Sequence, residues 1–236
     1  MEKVGKFFLG IMDSFYNTLI YDNRYKYILE GLFNTIIIAL FAVVIGIIIG
    51  TIVALIRDNH DKNGKLVVLN SLAKAYVNII RGTPVILQLM IIYYVIFKSV
   101  NINIVIVSIL AFGINSGAYV SEIIRAGINS ISVGQTEAGY ALGFKYGEVM
   151  RLIVLPQAIK NILPALGNEF VTLIKETSVG AYIGVVELTK ASDIIASRTY
   201  DYFFPLIIIA VIYLILTVGL SKLMSRLERK LNNVRS

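Results

Sequence analysis

EAGYALGFKYGEVMRLIVLP, residues 137–156, is a polar, glycine-dotted stretch in a chain that is otherwise strongly apolar. It is preceded by AGINSISVGQT, in which Ser132 is followed three positions later by Gln135. That is a capping-box pattern, and it predicts a helix starting there. Val133, Ala138, Ala141, Leu142, Tyr146, Val149 and Met150 fall on one apolar stripe at helical spacing, while Glu137, Lys145, Glu148 and Arg151 lie mostly off it. The segment is too polar to cross a bilayer. It reads as an amphipathic helix that lies on the membrane face or meets a partner protein.

Working outward, the surroundings are membrane-like. Of the 236 residues 57% are hydrophobic and only 16% are charged, with a mean hydropathy of +0.76. A soluble domain of this length is rarely so apolar, so the chain is an integral membrane protein. There is no cysteine, which excludes disulfides and thiolate metal sites. The one histidine, His60, sits in the hydrophilic run RDNHDKNGK and is expected in a solvent-exposed loop, far from any pocket. No Ser–His–Asp arrangement and no metal-ligand spacing emerges. No G-x-x-x-x-G-K-[ST] loop is present, so no ATP site of the P-loop kind is expected in this chain. The net charge of +7 speaks to membrane orientation rather than to nucleic acid.

Five spans are expected. Residues 31–56 and 99–121 carry no charge, and 202–221 form the last span. Gly46-x-x-x-Gly50 in the first is read either as a close-packing seam or as ordinary membrane-helix glycine. Residues 66–97 are too long for one straight crossing and contain IIRGTPVILQL. Pro84 lacks a donor and pushes Thr83 out of helical angles, so a break is expected near Arg81–Pro84 at membrane depth. Such a break needs protein or a water-filled cavity beside it. The fourth span, about 161–186, carries Glu169, Lys175 and Glu176, and Glu122 lies at the inner part of the third. Charges in spans cost roughly 2.5–3.5 kcal/mol each on insertion scales. They are therefore read as lining a polar cavity, or as pairing within the bundle, for example Glu122 or Glu169 with Arg81 or Lys175.

Phe7, Phe8, Ile11, Phe15 and Leu19 recur at helical spacing, which predicts an N-terminal helix on the membrane surface. Asp13 and the lack of a small-x-small site argue against a signal peptide. With the C-terminus inside, the inner loops and tail hold eleven Lys and Arg (Arg57, Lys62, Lys65, Arg125, Lys145, Arg151, Lys222, Arg226, Arg229, Lys230, Arg235) against seven outside. The chain lacks Trp, and Tyr21, Tyr25, Tyr27, Tyr93, Tyr94, Tyr200 and Tyr202 fall near the outer ends. Both signals put the N-terminus outside and the C-terminus inside the cell membrane. The expected division is an extracytoplasmic segment 1–26, a transmembrane domain 27–225 with a loop at about 130–156, and a tail 226–236.

Glu137-Ala138-Gly139, three residues, Gly143, nine residues, then Ile153-Val154-Leu155-Pro156 resembles the signature loop of ABC importer permeases, EAA, three residues, G, nine residues, I-x-L-P. Gly139 departs from it, where the family has alanine. In a helix interior that exchange costs about 1 kcal/mol, so a looser helix is expected. RGTPVILQL, GAYVSEIIRAGI, SVGQTEAGYALGF, VLPQAIKNILPALGNEF and LIKETSV resemble, in order, segments of permeases for polar amino acids, over about residues 28–225.

That resemblance implies an all-α integral membrane protein of the type I ABC importer fold, with five transmembrane helices and a cytoplasmic coupling helix. It implies a dimer with a second copy or a paralogue, a homodimer being favoured. Further implied partners are a cytoplasmic ATPase dimer that binds ATP and magnesium, an extracytoplasmic solute-binding protein and an amino-acid substrate. No cofactor is implied in this chain, which is a transport subunit and not itself an enzyme. Glu137, Ala138, Gly139, Leu142 and Gly143 are expected at the ATPase contact. Arg81, Gly82, Thr83, Gln88, Asn115, Ser116, Tyr119, Glu122 and Ser178 are the candidates for binding substrate. Arg81 and freed amides near Thr83 would receive a carboxylate, and Glu122 an ammonium or a basic side chain. A non-transport scaffold or lipid-acting enzyme would explain the spans but not the spaced signature. A passive channel would need a selectivity filter, and nothing in the sequence resembles one.

Overall fold

A computed structural model describes residues 2–233. The side chains of Phe7, Phe8 and Ile11, and the whole of Arg235, lie outside what it describes. The described chain is helical: α1 (Glu2–Leu19), α2 (Tyr25–Asn63), α3 (Val67–Gly82), α4 (Val85–Ile91), α5 (Ile104–Asn129), α6 (Val133–Ala141), α7 (Tyr146–Val149), α8 (Leu155–Glu176), α9 (Leu188–Thr199) and α10 (Phe203–Asn233). Four of the described helical segments are long and apolar enough to cross a membrane, within Tyr21–Asn63, Ile104–Asn129, Tyr146–Ile183 and Phe203–Lys230. The pair α3 and α4, bent by 110°, makes a fifth if it crosses as a broken span.

The seam between α2 and α5 shows why glycine recurs in both. A methyl group on Gly46 would lie 2.8 Å from Ser116 Oγ, and one on Gly50 would lie 2.6 Å from Val120. On α5, Gly113 and Gly117 stand equally close to Ile45 and Ile49 of α2. Lipid offers no hydrophobic drive between helices, so close backbone approach and dispersion supply the association. The Gly46–Gly50 pair is therefore a packing seam. Ile38, Ala42, Phe112, Leu173 and Val185 continue this core toward one end, and Val120, Ile124, Val149, Val154 and Ala158 toward the other.

Two local expectations are corrected. The run RDNHDKNGK is not a loop. It is the last turns of α2, which at about 1.5 Å per residue makes its 39 residues roughly 58 Å long, well beyond a hydrocarbon core. Lys62 pairs with Asp58 at 2.9 Å in the favourable i,i+4 arrangement, and Gly64 ends the helix in the left-handed conformation, its N–H donating to His60 O. His60 is thus helical and half-buried. Second, the apolar stripe from Val133 to Met150 is not one helical face. The chain turns between Ala141 and Tyr146, leaving Val133 and Leu142 exposed and Val149 and Met150 buried. Ser132 does precede α6, but its side chain makes no capping bond.

Candidate functional site

Two constellations stand out, one at the break between α3 and α4 and one where α6 and α7 meet the ends of α2 and α5.

At the break, Thr83 and Pro84 are extended, and the last carbonyls of α3 lose their helical partners. Side chains replace them. Thr83 Oγ1 donates to Ile79 O at 2.8 Å. Gln88 Nε2 donates to Ile80 O at 2.8 Å and also contacts Thr83 O and Thr83 Oγ1. Asn115 of α5 in turn donates to Gln88 Oε1 at 2.9 Å. Thr83, Gln88 and Asn115 are thus brought together, and their bonds hold the kink open. Arg81, Gly82 and Thr83 are exposed, and the Arg81 guanidinium lies 5.4 Å from the centroid of the Tyr119 ring. Ser116 is buried and donates to Glu169 Oε1 at 2.8 Å. Tyr76 closes α3 onto α5 by donating to Ile114 O at 2.5 Å.

The other two candidates lie elsewhere. Glu122 is held by Arg57 of α2 and lies 3.8 Å from Arg125, which itself binds Asp61 at 2.7 Å. Its Oε1 faces two guanidinium groups, which places this carboxylate in an ion-pair network. Among the described residues neither Glu122 nor Glu169 pairs with Arg81 or Lys175. Ser178 lines a separate cavity of about 440 Å³ with Tyr182, Thr189, Lys190, Asp193 and Tyr202. No three His, Cys, Asp or Glu side chains converge as metal ligands among the described residues.

At the other constellation, the signature spacing has a geometric cause. The α6 helix ends in a Schellman turn: Phe144 N–H donates to Gly139 O at 3.1 Å and Gly143 N–H to Tyr140 O at 2.9 Å. The turn requires a left-handed residue, and Gly143 supplies it at φ +84°. Leu142, just before it, is 75% exposed. Gly139 is buried, not loose. A methyl group there would meet Ile153 Cδ1 at 2.8 Å and Val149 Cγ2 at 2.9 Å, so glycine lets α6 lie close on the next turn. A wide π turn, Met150–Val154, ends two residues before Pro156, whose missing N–H could not have closed an ordinary turn. The whole unit is clamped to α2: Tyr146 donates to Asp58 Oδ2 at 2.7 Å, and Lys62 lies over the Tyr146 ring.

Sequence reasoning missed Asp58 and Tyr146 as partners, because they are 88 positions apart. It also missed Glu187, which is fully buried, caps α9 through Thr189 N–H and Lys190 N–H at 2.7 Å, and accepts from Tyr213 at 2.9 Å. A glutamate followed by Leu-Thr-Lys carries no common capping signature, so only the fold reveals it.

The chain matches, over residues 46–233, the family described as binding-protein-dependent transport system inner membrane component. A Rickettsia prowazekii (strain Madrid E) protein named as a glutamine transport system permease is 40% identical over 213 residues, covering 89% of this chain and 95% of that one. The arginine transport system permease protein ArtQ of Bacillus subtilis (strain 168) is 40% identical over 209 residues, covering 88% and 93%. Among solved structures, an amino acid ABC transporter with histidines is similar at a TM-score of 0.81 and 42% identity, covering 87% of this chain and 94% of its own. The inward-facing MetNI methionine ABC transporter shares the fold at a TM-score of 0.75 and 20% identity, covering 90% and 99%. The chain belongs to the binding-protein-dependent transport system inner membrane components, the permease subunits of ABC importers, in which ATP is hydrolysed by a separate subunit.

Proposed function

We propose that this permease moves a polar amino acid, basic ones included, across the cell membrane, with its N-terminus outside and its C-terminus inside. Relatives named for glutamine and arginine, both bearing nitrogen-rich side chains, support this substrate class. Its complex contains a second permease copy, an ATPase dimer that binds ATP and magnesium, and an extracytoplasmic solute-binding protein. Residues 1–26 form the outer amphipathic segment, 27–225 the permease domain and 226–236 the inner tail.

The observation that carries the coupling role is Leu142, a large apolar side chain held out on a turn of fixed geometry. Glu137, Ala138, Gly139 and Gly143 shape that turn, and a cleft on the ATPase receives Leu142. Arg81, with the amides of Gly82 and Thr83, offers positive charge for a substrate carboxylate. Gln88, Asn115, Ser116 and Tyr119 hold that surface in place, and Ser178 opens on the outer cavity. Glu122 serves the inner ion-pair network rather than the substrate.

The test is ATP-dependent uptake by the reconstituted complex against a panel of amino acids, with Leu142→Asp as the diagnostic variant. Glutamine or arginine should be taken up and should compete with each other. Leu142→Asp should lose ATPase co-purification while keeping the thermal stability of the isolated permease. Uptake that needs neither ATP nor the ATPase would refute the proposal.

A further inference from the structure

We propose that the groove between α8 and α10 binds the phosphate-bearing headgroup of an anionic membrane phospholipid. The groove encloses about 540 Å³. Lys175 enters it from α8, and Lys222, Arg226 and Arg229 enter from α10, with the hydroxyl groups of Ser221 and Ser225 between them. The three α10 cations stand at i, i+4 and i+7, which stacks them on one face of the helix.

Four like charges around one cavity repel, and a bundle normally answers such a cluster with carboxylates. Here it does not. Asp58, Asp61 and Glu122 are engaged by Lys62, Arg57 and Arg125, and Glu169 is bonded to Ser116. Glu176 and Glu228 neighbour Lys175 and Arg229 in sequence. Among the described residues, neither forms an ion pair within 4 Å with any of the four cations. The three α10 cations are exposed and carry no carboxylate partner within 4 Å among the described residues, which leaves them available to an external anion.

The position of the groove selects the anion. It lies where the uncharged run of α10 ends and the first cation, Lys222, begins. That boundary is the level of lipid phosphates, and basic pockets between membrane helices at this level hold anionic headgroups. Lys175 sits one helical turn from Val171, and both line the groove. Beside the cations, Leu214, Ile215, Val218 and Leu223 are exposed on α10 and offer a wall for acyl chains. A free phosphate would satisfy the cations but would leave that wall uncovered.

The experiment uses the full-length chain purified in detergent, in whatever assembly it forms, and reads lipid retention by native mass spectrometry and the thermal midpoint. Uptake is not measured, so the outcome is independent of the transport reading. Phosphatidylglycerol should be retained and should raise the midpoint, whereas phosphatidylcholine should do neither. Lys222→Gln/Arg226→Gln/Arg229→Gln should weaken phosphatidylglycerol binding at least tenfold. The charge-matched Lys65→Gln/Arg151→Gln/Lys160→Gln should not, and Lys222→Arg should bind as the parent does. Unchanged retention in the groove variant would overturn the proposal, as would equal binding of phosphatidylcholine. Displacement of the lipid by millimolar inorganic phosphate would reassign the site to a soluble anion. Displacement by glutamine or arginine would reassign it to the substrate path.

Discussion

The break between α3 and α4 and the turn between α6 and α7 are built from different materials. Between α3 and α4 the freed carbonyls are satisfied by side chains, Thr83 and Gln88, with Asn115 bracing Gln88 from α5. Between α6 and α7 the backbone satisfies itself through the left-handed Gly143, and a large apolar side chain is left outside. The difference follows from the surroundings. Within a bilayer no water is at hand for an orphaned carbonyl, so the protein must carry its own donors. At an aqueous face water can meet the remaining groups, and geometry is what matters. The break between α3 and α4 is thus made of amides and hydroxyls, and the turn between α6 and α7 is made of glycine.

This contrast can be broken at either end. The largest effect is expected at Gly143. A Cβ there meets nothing within 4 Å, so any loss must come from the backbone conformation and not from a clash. Gly143→Val should abolish coupled uptake, while Gly143→Asn, which tolerates the left-handed region, should retain most of it. Equal loss in both would show that the turn is not what matters. Gln88→Leu comes next. It strips the donor from the part-buried Ile80 O and the acceptor from the buried Asn115, and a buried polar group left unpaired costs about 1–3 kcal/mol. The thermal midpoint of the purified permease should fall by several degrees, and an unchanged midpoint would mean that water already serves the break.

Tyr146→Phe removes the bond to Asp58 and should cost about 1–2 kcal/mol. Its sharper readout is coupling, with ATP hydrolysed per amino acid imported expected to rise. Combined with Asp58→Ala, the loss should be less than additive, since both changes remove the Tyr146–Asp58 contact. The smallest effect is expected at Gly139→Ala. The added methyl would crowd the end of Ile153, which can shift, and a γ carbon of the buried Val149, while alanine favours the helix over glycine by about 1 kcal/mol, so the two effects offset and the net loss should stay at about 1 kcal/mol. A large loss would mean that α6 is seated more rigidly than those contacts imply.

Much of this architecture was legible in the sequence because membrane spans are local. An uncharged run declares its own helix, and Pro84 declares its own break. The spaced signature located the surface loop without any knowledge of what it packs against. Less legible were the ends of helices. The run RDNHDKNGK reads as a loop by polarity, yet an i,i+4 ion pair and a glycine stop four residues past His60 carry α2 through it. The stripe from Val133 to Met150 followed helical spacing across a turn that interrupts it, because periodicity alone does not register a left-handed residue.

What the sequence determined by itself was the class of molecule, its long apolar helices and the break at Pro84, all consequences of solvent and short-range sterics. What only the tertiary structure decided was partnership. Glu122 went to Arg57 and Arg125, Gln88 became the brace of the break, Tyr146 found Asp58, and Glu187 was buried as a cap. A charge or an amide in a span must find a partner, and that requirement is visible in the chain. Which partner it finds depends on distances across helices that sequence separation does not encode.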